Sequence, residues 1–103
     1  VDRIVKFIKN NYANPDLSIT AISEYTNLSP TYICHLFKDT TKMTINNFIL
    51  NYRMQKAQQL LKDPVCKVKE VGFLVGYRNG NYFSYQFKKF TGLSPSQFRE
   101  KTI

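Results

Sequence analysis

The chain has 103 residues, which is enough for one small domain or for two very small units that share a core element. Apolar residues make up 43% of it, including seven Tyr and eight Phe, so it can fill a core and does not have the composition of a disordered chain. No apolar run approaches the roughly 20 residues that a membrane span needs, and no leader-like segment precedes a cleavage site.

The balance of charge points to a polyanionic partner. Fifteen Lys and Arg against seven Asp and Glu give a formal net charge of +8. Such an excess favours nucleic acid first and acidic membrane or protein surfaces second, with a merely solvated basic surface as the alternative. The two cysteines, Cys34 and Cys66, lack the spacing of metal ligands or of a secreted disulfide framework, so we expect free thiols in a reducing cytoplasm.

Hydrophobic spacing and capping signals predict three helices in the first part of the chain, over residues 1–12, Ile19–Tyr25 and Pro30–Thr41. Ser18 is a suitable N-cap for the second helix, and Ser29-Pro30 supplies an N-cap and a first-position proline for the third. Two short helices joined by a tight turn form a helix-turn-helix unit, whose second helix enters the DNA major groove. The exposed face of that second helix would carry Thr31, Cys34, His35 and Lys38.

A long helix is predicted in the middle of the chain, over about residues 44–62. Its apolar residues recur mostly at three- and four-residue spacings, which predicts one broad apolar stripe. Thr44 is a plausible N-cap, and Asp63-Pro64 ends the helix because the residue before a proline avoids helical angles.

The pattern of the first part then recurs. A short helix is predicted around Val68–Leu74, a turn around Gly76, a helix from about Asn81 to Phe90, and a final helix opened by Ser94-Pro95. The matched pairs lie 49 residues apart before the turn (Ile19/Val68, Ile22/Val71, Leu28/Tyr77) and 50 after it (Ile33/Phe83, Phe37/Phe87, Lys38/Lys88, Thr41/Thr91, Met43/Leu93, Thr44/Ser94, Phe48/Phe98). Two copies of one motif are far more specific than either alone.

The matched residues also resemble a known family, the AraC/XylS family of bacterial transcription regulators. The resemblance is carried by Val68-x-Glu70-Val71-Gly72-x-x-Val75-Gly76-Tyr77-x-x-x-x-Tyr82-Phe83-Ser84-x-x-Phe87-Lys88-Lys89-x-Thr91-Gly92-x-Ser94-Pro95-x-x-Phe98-Arg99, by Leu28-Ser29-Pro30-x-Tyr32-Ile33-x-x-Leu36-Phe37-Lys38 and by Tyr52-Arg53-x-x-Lys56-Ala57-x-x-Leu60-Leu61. It implies an all-α fold of seven helices forming two helix-turn-helix subdomains joined by a linker helix. The expected divisions are residues 1–43, 44–62 and 64–103.

The resemblance also implies roles for individual residues. Base-reading residues would be Thr31, Cys34 and His35 on the first reading helix, and Gly80, Asn81, Ser84 and Tyr85 on the second. Asn81 suits adenine, with capping of the helix start as its alternative, and Tyr85 could instead shield the core. Phosphate contacts are expected from Lys38, Lys42, Arg53, Arg78, Lys88, Lys89 and Arg99, with an internal ion pair as the alternative for Arg53.

Three departures from the family pattern limit what can be carried over. Cys34-His35 and Tyr85 stand where relatives often have a long polar or arginine side chain, so base preferences cannot be borrowed. Gly72 stands where Ala is usual, at a cost of about 1 kcal/mol in helix propensity unless close packing needs it. Lys67 is a poor N-cap, so the short helix that follows it would depend on packing.

We therefore predict the cytoplasmic DNA-binding output domain of a bacterial transcription regulator, without a cofactor, a metal site or an enzyme activity. Its partners would be double-stranded promoter DNA and, as a further candidate, RNA polymerase. A sensing domain or a receiver domain would belong to a longer parent protein. The alternative is a protein-interaction module whose basic face meets an acidic partner; Asn81→Ala would relax base preference in the first case and leave a protein partner untouched.

Overall fold

The computed structural model describes residues 1–102, and every regular element in that range is helical. The α-helices are α1 (Asp2–Asn11), α2 (Ile19–Thr26), α3 (Pro30–Thr41), α4 (Ile45–Leu61), α5 (Val71–Leu74, preceded by a 3₁₀ turn at Val68–Glu70), α6 (Gly80–Thr91) and α7 (Pro95–Thr102). The predicted all-α fold of seven helices is confirmed for the residues described.

Four helices, α2, α3, α4 and α7, begin at the side-chain N-caps that were predicted for them. Ser18 Oγ accepts from the Ala21 amide at 3.1 Å, and Ser29 Oγ accepts from the Tyr32 amide at the same distance. Thr44 Oγ1 caps α4 through the amide of Asn47. At the start of α7, Ser94 Oγ accepts from the Gln97 amide while Gln97 Oε1 accepts from the Ser94 amide, a complete capping box.

One predicted helix is weaker than the others. The stretch Val68–Leu74 divides into a 3₁₀ turn and a four-residue α-helix instead of forming one short helix. Lys67 precedes it without a side-chain capping bond, and Gly72 lies within it. Because lysine cannot accept a capping bond and glycine has low helix propensity, local signals here are too weak for regular α-helix.

The chain divides into two compact units, Val1–Tyr52 and the part from Arg53 onward. The core of the first unit is an apolar cluster of Ile4, Ile8, Ile22, Ile33, Phe37, Ile45 and Ile49. The second unit buries Met54, Ala57, Leu61, Val71, Val75, Phe83 and Phe87. The boundary falls inside α4, so this helix contributes residues to both cores.

The buried positions of α4 do not form the single stripe that was predicted. Ile45 and Ile49 are buried in the first unit, whereas Met54, Ala57 and Leu61 are buried in the second. Nine residues at about 100° each separate Ile45 from Met54, which places them roughly half a turn apart around the helix. Helical spacing did not predict this change of buried face, because the buried residues of each half, taken alone, recur at three or four residues.

The internal repeat extends to individual contacts. Thr41 Oγ1 donates to the Phe37 carbonyl at 2.7 Å, and its counterpart Thr91 donates to the Phe87 carbonyl at 2.9 Å. The Phe37 ring meets Phe48 edge to face with 5.5 Å between centroids, and the pair Phe87–Phe98 repeats that distance and geometry. Each unit therefore fixes the end of its corresponding helix, α3 or α6, in the same way.

Candidate nucleic-acid interface

The helix α3 separates a buried face from an exposed one. Ile33 and Phe37 are fully buried, which fixes the rotation of the helix against the first core. As a consequence, Thr31, His35 and Lys38 are exposed and Cys34 is half-buried. Three of the four residues predicted on the exposed face are thus exposed, whereas Cys34 packs partly against the first core.

A groove of about 610 Å³ lies beside this face. It brings together all four predicted residues of α3 with the start of α4, and its lining is Ile19, Pro30, Thr31, Cys34, His35, Lys38, Asp39, Thr44, Ile45 and Asn46. Cys34, His35 and Asp39 all line it, but residues 1–102 contain no cluster of three or more His, Cys, Asp or Glu side chains that could hold an ion.

The helix α6 is built in the same way. Asn79 is its N-cap and accepts from the Tyr82 amide at 3.0 Å, so the capping role considered for Asn81 belongs to Asn79 instead. Burial of Phe83 and Phe87 leaves Asn81, Ser84 and Lys88 exposed. Asn79 could have been found from the sequence, because it stands where the repeat places Ser29.

Three of the four predicted base-reading residues of α6 line one groove. This groove measures about 330 Å³ and includes Gly80, Asn81 and Ser84 together with the N-terminus of α7. Tyr85 lies outside it and is 61% exposed, so its ring does not shield the core. The two grooves occupy matching places in the repeat, since Thr31/Asn81, Cys34/Ser84 and Thr44/Ser94 are equivalent pairs.

The predicted phosphate-binding side chains divide into two groups. Lys38, Lys42, Arg78, Lys88 and Lys89 are exposed. Two of them, Lys38 and Lys42, line a polar groove of about 500 Å³ at the start of α4, with Asn47 and Asn51 among its other lining residues. Asn47 and Asn51 were not predicted from the sequence, although their four-residue spacing places both on one face of α4.

Arg99 is engaged within the second unit. Its Nε donates to the Leu61 carbonyl at 2.9 Å, and its Nη2 donates to the Asp63 carbonyl at 2.9 Å. These carbonyls lie at and just beyond the C-terminal end of α4, where backbone acceptors have no partner within the helix and a positive charge is favourable. The structure thus gives Arg99 a capping role, and we leave it out of the proposed phosphate contacts.

Arg53 also has a structural contact. Its guanidinium lies 5.6 Å from the centroid of the Tyr77 ring, within the range of a cation–π interaction. Burial lowers the pKa of Arg53 below its usual value, and the neighbouring Tyr77 partly offsets this effect. Burial likewise raises the pKa of Tyr77, against an opposing effect from Arg53. An arginine with a lowered pKa still carries its charge at neutral pH.

The same arrangement of helices in both units defines a class of protein. Each unit has a short helix, a tight turn and a second helix whose exposed polar face lies beside a groove. Two such units in one chain are the arrangement of a double helix-turn-helix DNA-binding domain. Within residues 1–102, no helix is both long enough and apolar enough to cross a membrane.

Comparisons with known proteins specify the family. Residues 12–101 match a family of proteins described as the helix-turn-helix domain. The Msm operon regulatory protein of Streptococcus mutans is 34% identical over 98% of this chain and 36% of its own length. The arabinose operon regulatory protein of Escherichia coli K12 is 32% identical over 91% of this chain and 32% of its own. This chain therefore spans about a third of the length of either relative.

A solved structure shows the same fold. The C-terminal domain of the two-component response regulator yesN from Fusobacterium nucleatum superposes with a TM-score of 0.91 at 31% identity, covering 95% of both chains. Together these matches show that the chain belongs to the AraC/XylS family of transcription regulators, as its DNA-binding domain. The resemblance inferred from the sequence is thereby confirmed, and both of these relatives are named as operon regulatory proteins.

Proposed function

We propose that each unit inserts its reading helix, α3 or α6, into a major groove of promoter DNA and that both helices read bases. The observation that supports this most directly is the equivalence of the two exposed faces. Each predicted contact on α3 has a counterpart 50 residues later, in the pairs Thr31/Asn81, Cys34/Ser84, His35/Tyr85 and Lys38/Lys88. Gly80 adds a place where DNA can approach the backbone, since nothing lies within 4 Å of a Cβ built there.

Affinity and selectivity would come from different residues. Lys38, Lys42, Arg78, Lys88 and Lys89 are proposed to contact phosphates, which supplies affinity that falls as salt rises. Asn81 is proposed to read adenine through two hydrogen bonds, because its side chain is exposed and is not needed as the helix cap.

The functional organisation would follow the chain. Residues 1–43 and 64–103 are proposed as the two DNA-reading subdomains and residues 44–62 as the helix that links them. The relatives are longer proteins, two named as operon regulators and one as a two-component response regulator. A sensing or receiver domain in a longer parent, and RNA polymerase as a second partner of an activator, are proposals of the same kind.

Selection of binding sites from a random duplex library would test the proposal. The 103-residue chain would be used at near-physiological salt with competitor DNA. We expect two short conserved blocks about one helical turn apart, and Asn81→Ala should relax the base preference in one block by about 1–3 kcal/mol. Lys62→Ala, which removes an exposed charge outside the grooves described above, is the control.

The other outcomes are informative. A single block would mean that only one unit reads bases and the other contacts phosphates alone. Binding without any enriched sequence, lost steeply as salt rises, would reduce the interaction to charge attraction. That outcome would contradict the proposal and favour an acidic protein partner.

A further inference from the structure

The turns of the two helix-turn-helix units are held by different interactions. In the first unit, Ser23 Oγ donates to the Leu28 carbonyl at 2.5 Å, and Thr26 Oγ1 accepts from the Leu28 amide at 3.4 Å. Polar side chains of α2 thus form hydrogen bonds with the backbone of Leu28, which precedes α3.

The second unit has neither of these side-chain hydrogen bonds. Forty-nine residues later, Ser23 is replaced by Gly72, Thr26 by Val75 and Leu28 by Tyr77. Glycine has no side chain and valine has no hydrogen-bonding group, so neither side chain can bond to the turn. Here a backbone hydrogen bond holds the turn: the Tyr77 amide donates to the Gly72 carbonyl at 2.8 Å.

Aromatic packing replaces the lost side-chain bonds. The Tyr77 ring centroid lies 5.4 Å from that of Phe83 and 6.0 Å from that of Tyr82. Both partners belong to the first turn or two of α6, next to Asn81 and Ser84. The position of the Tyr77 ring is therefore coupled to the part of α6 that carries the proposed base contacts.

Arg53 holds the Tyr77 ring from the side of α4. Its half-buried guanidinium lies 5.6 Å from the ring centroid, on the first residue of the second unit. A planar guanidinium can stack on an aromatic face, which a lysine ammonium does less well. Beyond the ring, Tyr82 Oη accepts a bond from Gln86 Nε2 at 2.7 Å, which fixes that side chain on α6.

We propose that Arg53 is a positioning residue for DNA recognition by the second unit: it holds Tyr77, and through Tyr77 the start of α6, without contacting phosphate itself. The inference rests on the proposed function, because it assumes that α6 reads bases. It gives Arg53 a role exerted through an aromatic ring in place of the phosphate contact considered for it.

The test compares Arg53→Met with Arg53→Lys, Tyr77→Leu, Tyr77→Phe and the double variant Arg53→Met/Tyr77→Leu. Binding of the full chain to its selected duplex is measured over a range of salt, with single-base changes in each block. We expect Arg53→Met to reduce discrimination against single-base changes roughly tenfold in the second block, the one read by α6; this is within the range that one base contact supplies. Discrimination in the first block, the one read by α3, should be unchanged. Arg53→Lys should rescue little of this loss, and Tyr77→Phe should keep the wild-type behaviour.

The salt dependence separates positioning from phosphate contact. Removing a phosphate contact lowers the slope of log affinity against log salt by about 0.9 and weakens all sequences alike. A positioning residue leaves that slope unchanged. The double variant should lose no more than Arg53→Met alone, because both changes disrupt one unit of structure. Lys62→Met, which removes an exposed charge just after α4, is the matched control.

Three results would overturn the inference: a lower salt slope with uniform loss, equal loss in both blocks, or full activity of Arg53→Met. Thermal unfolding checks that each variant is folded at the assay temperature. If Arg53→Met does not fold, the comparison of Tyr77→Leu with Tyr77→Phe still decides whether the ring transmits the effect. Failure of the proposed function is distinguishable, because the wild-type chain would then select no second block.

Discussion

At the scale of single residues, the repeat is visible in the backbone. Positive φ angles among residues 1–102 occur as two equivalent pairs, Asn27 (58°) with Gly76 (102°) and Lys42 (64°) with Gly92 (86°). Gly76 and Gly92 suit such angles because glycine has no Cβ. The angles at Asn27 and Lys42 do not follow from their residue types; alignment of each with its matching glycine in the repeat identifies them.

The backbone of Lys42 is strained, and a glycine at this position should relieve the strain by a measurable amount. It ends α3 in the left-handed region, and its amide donates to the Lys38 carbonyl at 2.8 Å as the Gly92 amide does to Lys88 at 2.7 Å. Lys42→Gly should therefore stabilise the chain by about 0.5–1 kcal/mol in urea unfolding. The same variant should weaken DNA binding and lower its salt slope by about 1, if Lys42 contacts phosphate as proposed.

Matched variants distinguish the effect of backbone conformation on stability from the effect of steric contact with the added side-chain atoms. Lys38→Gly makes the same change inside α3 and should destabilise by about 1 kcal/mol. Gly92→Ala and Gly80→Ala both add a methyl group to open space, but only Gly92 has a positive φ. We expect loss of stability for Gly92→Ala and none for Gly80→Ala; equal effects would show that backbone conformation is not the cause.

At the scale of elements, the end of α4 depends on a side chain from α7. Arg99→Ala removes the donors to the Leu61 and Asp63 carbonyls and should lower the free energy of unfolding by roughly 1–2 kcal/mol, a figure reduced for the partial exposure of Arg99. Urea titration measures the loss. The exposed Lys101, on the same helix, is the control, and Lys101→Ala should change stability by less than about 0.5 kcal/mol.

The DNA-binding assay gives the same variant a second readout. If Arg99 serves only to cap α4, the salt slope of binding by Arg99→Ala should equal that of the wild type at a temperature where both are folded. A slope reduced by about 0.9 would instead identify Arg99 as a phosphate contact and restore the role expected from the sequence.

The elements also show what the sequence could and could not predict. Side-chain N-caps such as Ser29 and Ser94 are local signals, so the starts of α3 and α7 were predicted correctly. The long-range contact of Arg99 with Leu61 spans 38 residues and leaves no periodic trace in the sequence. The change of buried face along α4 depends on which core each half joins, which a hydrophobic count cannot resolve. Nor does residue type reveal that Arg53 stacks on Tyr77.

At the scale of the whole molecule, α4 is the only helix of residues 1–102 that contributes buried side chains to both units. Met54 begins its contribution to the second core directly after the boundary between Tyr52 and Arg53. If recognition of two blocks needs both units on one continuous helix, a break at this boundary should cost more in DNA binding than in the stability of either core.

Gln55→Pro is the appropriate break. Gln55 is exposed and lies well inside α4, so a proline there removes a backbone hydrogen bond and collides with the preceding turn, at about 3 kcal/mol or more, without removing a core side chain. We expect binding to a duplex with both blocks to fall to the level of a single block, with weak binding to each block retained. Gln55→Ala keeps the helix and is the control. Unchanged affinity of Gln55→Pro for the two-block duplex would show that the units recognise DNA independently of the helix that joins them.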